Sequence, residues 1–198
     1  VSATAVHVLV FDGLADWEPG HALAEIRRSG GLAVRSVGFT AEAVTTMGGL
    51  RILPDLALDA VRTEEVRLLL LPGGDFWEGD YPRGRLDALL GDLAGKGVPI
   101  AAICGATLGL ARAGLLDDRR HTSNDPEYLA QHAPSYKGRE LYVAELAVRD
   151  RGVVTASGLG NVEFAREIFE ELGVLSPTDR FLWFEMFKHG TLPREPPA

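Results

Sequence analysis

The apolar positions of the chain follow two alternating rhythms. Residues 6–11, 66–71 and 99–103 are short, almost unbroken apolar runs, the pattern of strands covered on both faces. Between such runs the apolar residues recur at helical spacing. Leu86, Leu89, Leu90 and Leu93 do so ahead of Gly95 and Gly97, and Val162, Ala165, Ile168 and Leu172 do so behind Asn161, which is read as a cap. A helix is predicted over 18–29, with Asp16 as N-cap and Pro19 in the first turn, closed by Gly30-Gly31. A second strand is predicted over 32–37, with short strands and turns over 40–58. A helix over 106–113 ends at Gly114, a short one opens at Asp125-Pro126-Glu127, and strands follow over 142–148 and 153–156. A last helix after Ser176-Pro177 carries Phe181, Phe184 and Phe187, a stripe read as a core or dimer face. Alternating strands and helices imply an α/β sandwich with a mostly parallel sheet, in which ligands sit beyond the carboxyl ends of the strands. The strand ends near Phe11, Leu71 and Ile103 are therefore where chemistry is expected.

Composition narrows the class. The chain has 198 residues, 46% hydrophobic and 24% charged, which fits a single globular domain with a core over about 5–173 and a C-terminal helix and tail over 174–198. Acidic residues outnumber basic ones 28 to 20 without a basic cluster, which argues against nucleic acid or an anionic membrane as partner. Residues 98–116 are long enough to raise a membrane span, but Pro99, Arg112 and three glycines divide them into a strand and a helix. The start of the chain has no positively charged region, and the apolar run behind it is too short for a signal peptide. The single cysteine, Cys104, excludes an internal disulfide and a multi-cysteine metal centre, and suits a reducing, cytoplasmic compartment. His7 and His132 have no partner at metal-ligand spacing, and no G-x-G-x-x-G follows a strand, so neither a metal nor a dinucleotide cofactor is expected.

The third strand end carries the strongest signal. In Ala102-Ile103-Cys104-Gly105-Ala106 a cysteine stands on a strand-to-helix turn between small residues, the pattern of a nucleophile elbow. At a helix N-terminus the thiolate is favoured over the thiol. A buried, inert thiol is the plain alternative. The second strand end supplies Leu71-Pro72-Gly73-Gly74, where the amides of Gly74 and Gly105 are positioned to form an oxyanion hole, although Gly-Gly after a strand is also an ordinary turn. The first supplies Asp16-Trp17-Glu18-Pro19, with a carboxyl group either reaching the thiol or solvated in the first turn. Trp77 is read as lining a pocket or interface, or as core.

In combination, V-L-V-F-D-G…W-E near the start, L-P-G-G at 71–74, A-I-C-G-A at 102–106 and T-A-S-G…E-F-A at 155–165 make the chain resemble the ThiJ/PfpI (DJ-one/PfpI) superfamily, relatives of class I glutamine amidotransferases. The resemblance implies a flavodoxin-like three-layer sandwich, a homodimer and a small-molecule substrate. It makes Cys104 the nucleophile and Glu18 a protonated acid hydrogen-bonded to its sulfur, with Gly74 and Gly105 in the oxyanion-hole positions. Protease-like members have a histidine directly after the cysteine, where this chain has Gly105. Members resembling the human deglycase have a histidine on the following strand. Direct register puts Asn124 there, and His121, three residues earlier, is read as either a site neighbour or a surface or packing histidine. Glu78 matches an acid that protease-like members lend to a neighbouring subunit, or is an exposed loop acid. Two functions follow: a cysteine-dependent hydrolase or a glyoxalase- or deglycase-like enzyme acting on a small electrophilic carbonyl, or a redox-sensing stress protein that works by Cys104 oxidation.

Overall fold

A computed structural model describes residues 4–192; the first three residues and the tail from residue 193 lie outside it. Strands β1 (Ala5–Val10), β6 (Val66–Leu71) and β7 (Ile100–Ile103) form where the unbroken apolar runs predict them, and nearly every residue in them is buried. They lie in a seven-stranded sheet of order β5-β2-β1-β6-β7-β9-β8, whose other members are β2 (Ala33–Gly38), β5 (Leu56–Ala57), β8 (Ala147–Asp150) and β9 (Val153–Ala156). Only β8, at one edge, is antiparallel. Strands β3 (Val44–Thr45) and β4 (Arg51–Ile52) make a separate hairpin.

From β1 the chain moves to β2 in one direction across the sheet, and from β6 to β7 in the other. Right-handed crossovers then put the connecting helices on opposite faces. Helix α1 (Trp17–Arg28) packs with α5 (Asn161–Leu172) on one face, with α6 (Pro177–His189) laid against α5, while α2 (Arg83–Gly95) and α3 (Ala106–Arg112) pack on β7. The short α4 (Pro126–His132) lies against α3. Among the described residues, no helix is long and apolar enough to cross a membrane. The order of strands reverses between β1 and β6, so a crevice opens at their carboxyl ends, beside the end of β7.

Several local expectations are corrected. Asp16 does not cap α1 with its side chain; its carboxylate accepts the Gly48 N–H at 2.6 Å and so ties the β3–β4 turn to the mouth of the crevice. Asn161 is the first residue of α5 rather than its cap, which is Gly160. The strand expected from residue 142 begins only at Ala147. Before it, Tyr142 makes a single bridge to His121, because the neighbouring β9 offers only four residues to pair with. The aromatic stripe of α6 is not a core face: Phe181 is 60% exposed and Phe187 44%, and the buried anchor is Trp183. At about 100° per residue, Phe181 and Phe187 point about 120° apart, so one surface cannot bury both. Asp125 and Ser176, in contrast, cap α4 and α6 through side-chain oxygens that accept backbone N–H groups.

Candidate active site

Three strand ends meet at Cys104. The loop after β1 is stitched to the loop after β6 by the Ala15 N–H, which donates to the Gly73 carbonyl at 3.1 Å. Helix α1 starts at that point, so Glu18 in its first turn turns inward and is buried. Its Oε2 accepts the Gly73 N–H at 2.5 Å. Cys104 follows β7 with φ +58, a left-handed conformation rare for a residue with a side chain. Its own amide donates to the Ala156 carbonyl at 2.9 Å, and its carbonyl accepts the Thr107 hydroxyl at 2.7 Å. The elbow is therefore pinned from both sides.

Two glycines leave the space in which acid and thiol meet. A Cβ on Gly73 would stand 2.6 Å from both the Cys104 Cβ and the Glu18 Oε2. One on Gly158, after β9, would stand 3.0 Å from the Cys104 Sγ and 3.3 Å from the Glu18 Oε1. Any side chain at either position would displace the pair.

Burial dominates the electrostatics. It pushes the Glu18 carboxyl up from the usual 4.5 to about 7, against the Gly73 N–H and the thiol, which favour its charged form. The Cys104 thiol is raised as well, first by burial and further by the Glu18 charge. This corrects the expectation of a thiol simply depressed by a helix N-terminus: α3 is only seven residues long and the sulfur is half-buried. Two groups in contact titrate as a pair. The pair releases its first proton near pH 7, set by the Glu18 carboxyl, and resists losing the second because one negative charge repels another. Where the first charge resides is decided by donors on the sulfur. Asn124 Nδ2 donates to Sγ at 3.3 Å, and the Gly105 N–H also faces it. The Asn124 amide cannot flip without loss, since its Oδ1 accepts the Gly158 N–H at 2.9 Å. Asn124 is thus held as a donor to sulfur, which favours the thiolate.

The other expected residues fall in different places. Gly74 has φ +145, which suits glycine alone, and a Cβ there would stand 2.7 Å from the Gly13 carbonyl oxygen. Its N–H donates to no backbone carbonyl among the described residues. His121 is fully buried and packs away from the crevice: its Nδ1–H donates to the Arg119 carbonyl at 2.8 Å, and its Nε2 accepts the Tyr136 hydroxyl at 2.6 Å. Trp77 is also fully buried and lines no pocket at Cys104; it packs under the elbow, with its indole N–H on the Pro72 carbonyl at 2.8 Å. A Cβ on Gly109 would touch its ring at 2.6 Å. Glu78 is an exposed acid on the rim.

The cavity over the thiol measures about 240 Å³, and Trp17, Met47, Asp75 and Tyr128 line it along with Glu78 and Asn124. Of these, Met47 and Tyr128 carry no sequence signal of their own. Met47 is brought in by its N–H on the Leu14 carbonyl, and Tyr128 by the Asp125 cap that starts α4. Gly158 belonged to the T-A-S-G run, but its role in making room for the pair shows only in three dimensions. Among the described residues, no three His, Cys, Asp or Glu side chains converge as a metal ion requires.

The model of the DJ-1/PfpI family matches residues 4–171. Among curated proteins, the chain is 41% identical over 190 residues to "Uncharacterized protease YoaZ" of Bacillus subtilis (strain 168), covering 92% of this chain and 90% of that one. It is 29% identical to "Glutathione-independent glyoxalase DJR-1.2" of Caenorhabditis elegans, over 72% of this chain and 75% of the relative. Among solved structures, the thiJ/pfpI family protein from Bacillus anthracis superposes with a TM-score of 0.89 at 38% identity, over 96% of this chain and 92% of that one.

Proposed function

The chain belongs to the DJ-1/PfpI family, and from that premise we propose that it is a cysteine-dependent enzyme whose Cys104 thiolate adds to a small electrophilic carbonyl, in the manner of a glyoxalase, a deglycase or a hydrolase. The observation that carries this reading is the buried Glu18 carboxyl packed against the Cys104 thiol in the space that Gly73 and Gly158 leave, with Asn124 donating to the sulfur. In the first step a sulfur–carbon bond forms and the carbonyl π pair moves to oxygen. The amides of Gly74 and Gly105 receive that oxyanion, and Glu18 supplies its proton. With a 2-oxoaldehyde, Glu18 then carries the proton of the hemithioacetal carbon to the neighbouring carbon, leaving a thioester of a 2-hydroxy acid. Water cleaves the thioester and restores the thiol, so the sum is the addition of one water molecule. Peptide cleavage is less well supported. A departing amine needs a proton donor at nitrogen, and no histidine lines the cavity among the described residues.

The test is a panel of methylglyoxal, glyoxal, small amides and peptides, run on the wild type and on Cys104→Ala. Turnover of a dicarbonyl that vanishes in the variant supports the reading; no turnover of any member overturns it. The lack of a histidine in the cavity, among the described residues, favours one second reading, a redox sensor. There, hydrogen peroxide transfers an oxygen to the thiolate and leaves as water, and the Glu18 carboxyl donates to the oxidised sulfur. We also propose that a second copy of the chain covers the apolar patch beside the cavity, where Trp17, Met47 and Leu50 are 52%, 48% and 63% exposed around a hollow of about 520 Å³. A lone half-buried thiol suits the reducing cytoplasm.

A further inference from the structure

The lining of the Cys104 cavity is one-sided in charge. Asp75 and Glu78 stand on its rim as exposed carboxylates, in the single helical turn that follows Gly74, and Glu18 lies at its floor. No lysine, arginine or histidine lines it among the described residues. The Arg112 guanidinium acts on Tyr128 from outside this lining, with its N–H groups engaged by the Trp77 carbonyl at 2.7 Å and the His132 carbonyl at 3.2 Å. The Tyr128 phenol lines the same cavity, and its pKa is raised first by burial and further by the Glu78 charge. Trp17 and Met47 add an aromatic ring and a thioether, which suit an apolar or cationic group, while the neutral amide donors of the lining, at Gly74, Gly105 and Asn124, lie around the thiol itself.

We propose that this cavity discriminates by charge, taking carbonyl substrates that bear no negative charge and turning away carboxylate-bearing carbonyls such as 2-oxoacids. Only the identity of the reacting group, a carbonyl, rests on the function proposed above; the discrimination itself is a property of the lining. A carboxylate substrate would be brought beside Asp75 and Glu78 with no cation to receive it. A neutral or cationic carbonyl of the same size meets two carboxylates, a phenol and an aromatic face.

The lone cysteine makes this measurable without turnover, since every thiol adduct reports Cys104. Two methanethiosulfonate reagents of similar shape serve as probes, one bearing a trimethylammonioethyl group and the other a sulfonatoethyl group. In each, the thiolate attacks the sulfenyl sulfur, a disulfide forms and methanesulfinate leaves. Rates are read by intact mass and normalised to a neutral model thiol. At low salt the cationic reagent should be favoured about tenfold or more over the anionic one, from two unit charges that line the same cavity as the reacting atom. The preference should shrink as salt rises. The double variant Asp75→Asn, Glu78→Gln alters only exposed side chains, and in it the ratio should fall to within about threefold of the model thiol. A wild-type ratio equal to that of the model thiol overturns the proposal. So does a ratio that the double variant leaves intact, because the chain's overall charge of −8 would then be its source. If the ratio behaves as expected but no carbonyl is turned over, the proposed function fails and the charge discrimination stands. If carbonyls are turned over without a charge preference, the reverse holds.

Discussion

Replacing Glu18 by glutamine tests the electrostatics of the site through stability alone. The carboxyl is buried, and its pKa stands at about 7 in place of the usual 4.5. A group whose folded pKa is raised stabilises the fold fully below its unfolded pKa, and that contribution is lost as pH rises through the folded value. For Glu18 the window therefore runs from about 4.5 to about 7. The full difference corresponds to about 3 kcal/mol, most of which falls between pH 5 and pH 8.5. Glu18→Gln keeps the shape and the acceptor for the Gly73 N–H but has no proton to lose.

The assay is urea unfolding of wild type and variant at a series of pH values. Relative to the wild type, the variant should gain about 2–3 kcal/mol between pH 5 and pH 8.5, or roughly 5–10 °C in Tm. Titrating groups outside the Glu18–Cys104 pair are common to both proteins and cancel, so the difference reports the pair. His7 and His121, for example, are both lowered by burial, so they weaken the fold of each as pH falls. Parallel stability curves across this range would mean that Glu18 is already ionised in the fold at pH 5, and the shared-proton account would be wrong.

Three further outcomes follow from the same geometry. Asn124→Ala should raise the thiol pKa further and slow Cys104 alkylation by iodoacetamide at neutral pH about tenfold, by removing a donor from the sulfur; an unchanged alkylation rate contradicts this. Trp77→Ala should cost about 3–5 kcal/mol in urea unfolding and slow Cys104 alkylation, because the indole fills the space under the elbow beside Gly105 and Gly109; a loss below about 1 kcal/mol would show that the elbow stands without it. Leu50→Glu puts a charge into the exposed apolar patch, so light scattering should find monomer for the variant where the wild type is a dimer; a monomeric wild type removes the proposed second copy.

What could be read from the sequence, and what could not, divides along physical lines. The central strands were legible because a sheet covered on both faces demands continuous apolar residues, and β6 begins and ends at the residues predicted. The elbow was legible because a left-handed residue between a strand and a helix needs small neighbours, and Ala102 and Gly105 announce it. The caps went wrong where a polar side chain had a better partner far away in sequence, as Asp16 has in Gly48. Periodicity carries no information about such pairings. Tyr142 was misread for a related reason, since an alternating pattern does not tell how long the neighbouring strand will be. Asn124 was placed by register against family members, but its orientation depends on Gly158, 34 residues away, and could only be seen in the fold.

The absence of a histidine at the thiol changes what kind of reaction the site suits. A cysteine paired with an imidazole has a group that takes its proton, carries it to a leaving nitrogen and is restored by water. Here the proton partner is a buried carboxyl whose pKa is about 7, held by a single backbone N–H at 2.5 Å and wedged between two glycines. Such an acid has little room to swing toward a leaving group, but it can pass a proton between sulfur and an atom bonded to the carbon that sulfur attacks. Reactions that move a proton between adjacent atoms of a small adduct need only that much travel. Reactions that expel an amine from an extended peptide need more travel, and more room than a cavity of about 240 Å³ leaves over Cys104. The proposed carbonyl addition and rearrangement asks only for the shorter travel, although the relative at 41% identity carries the word protease in its name.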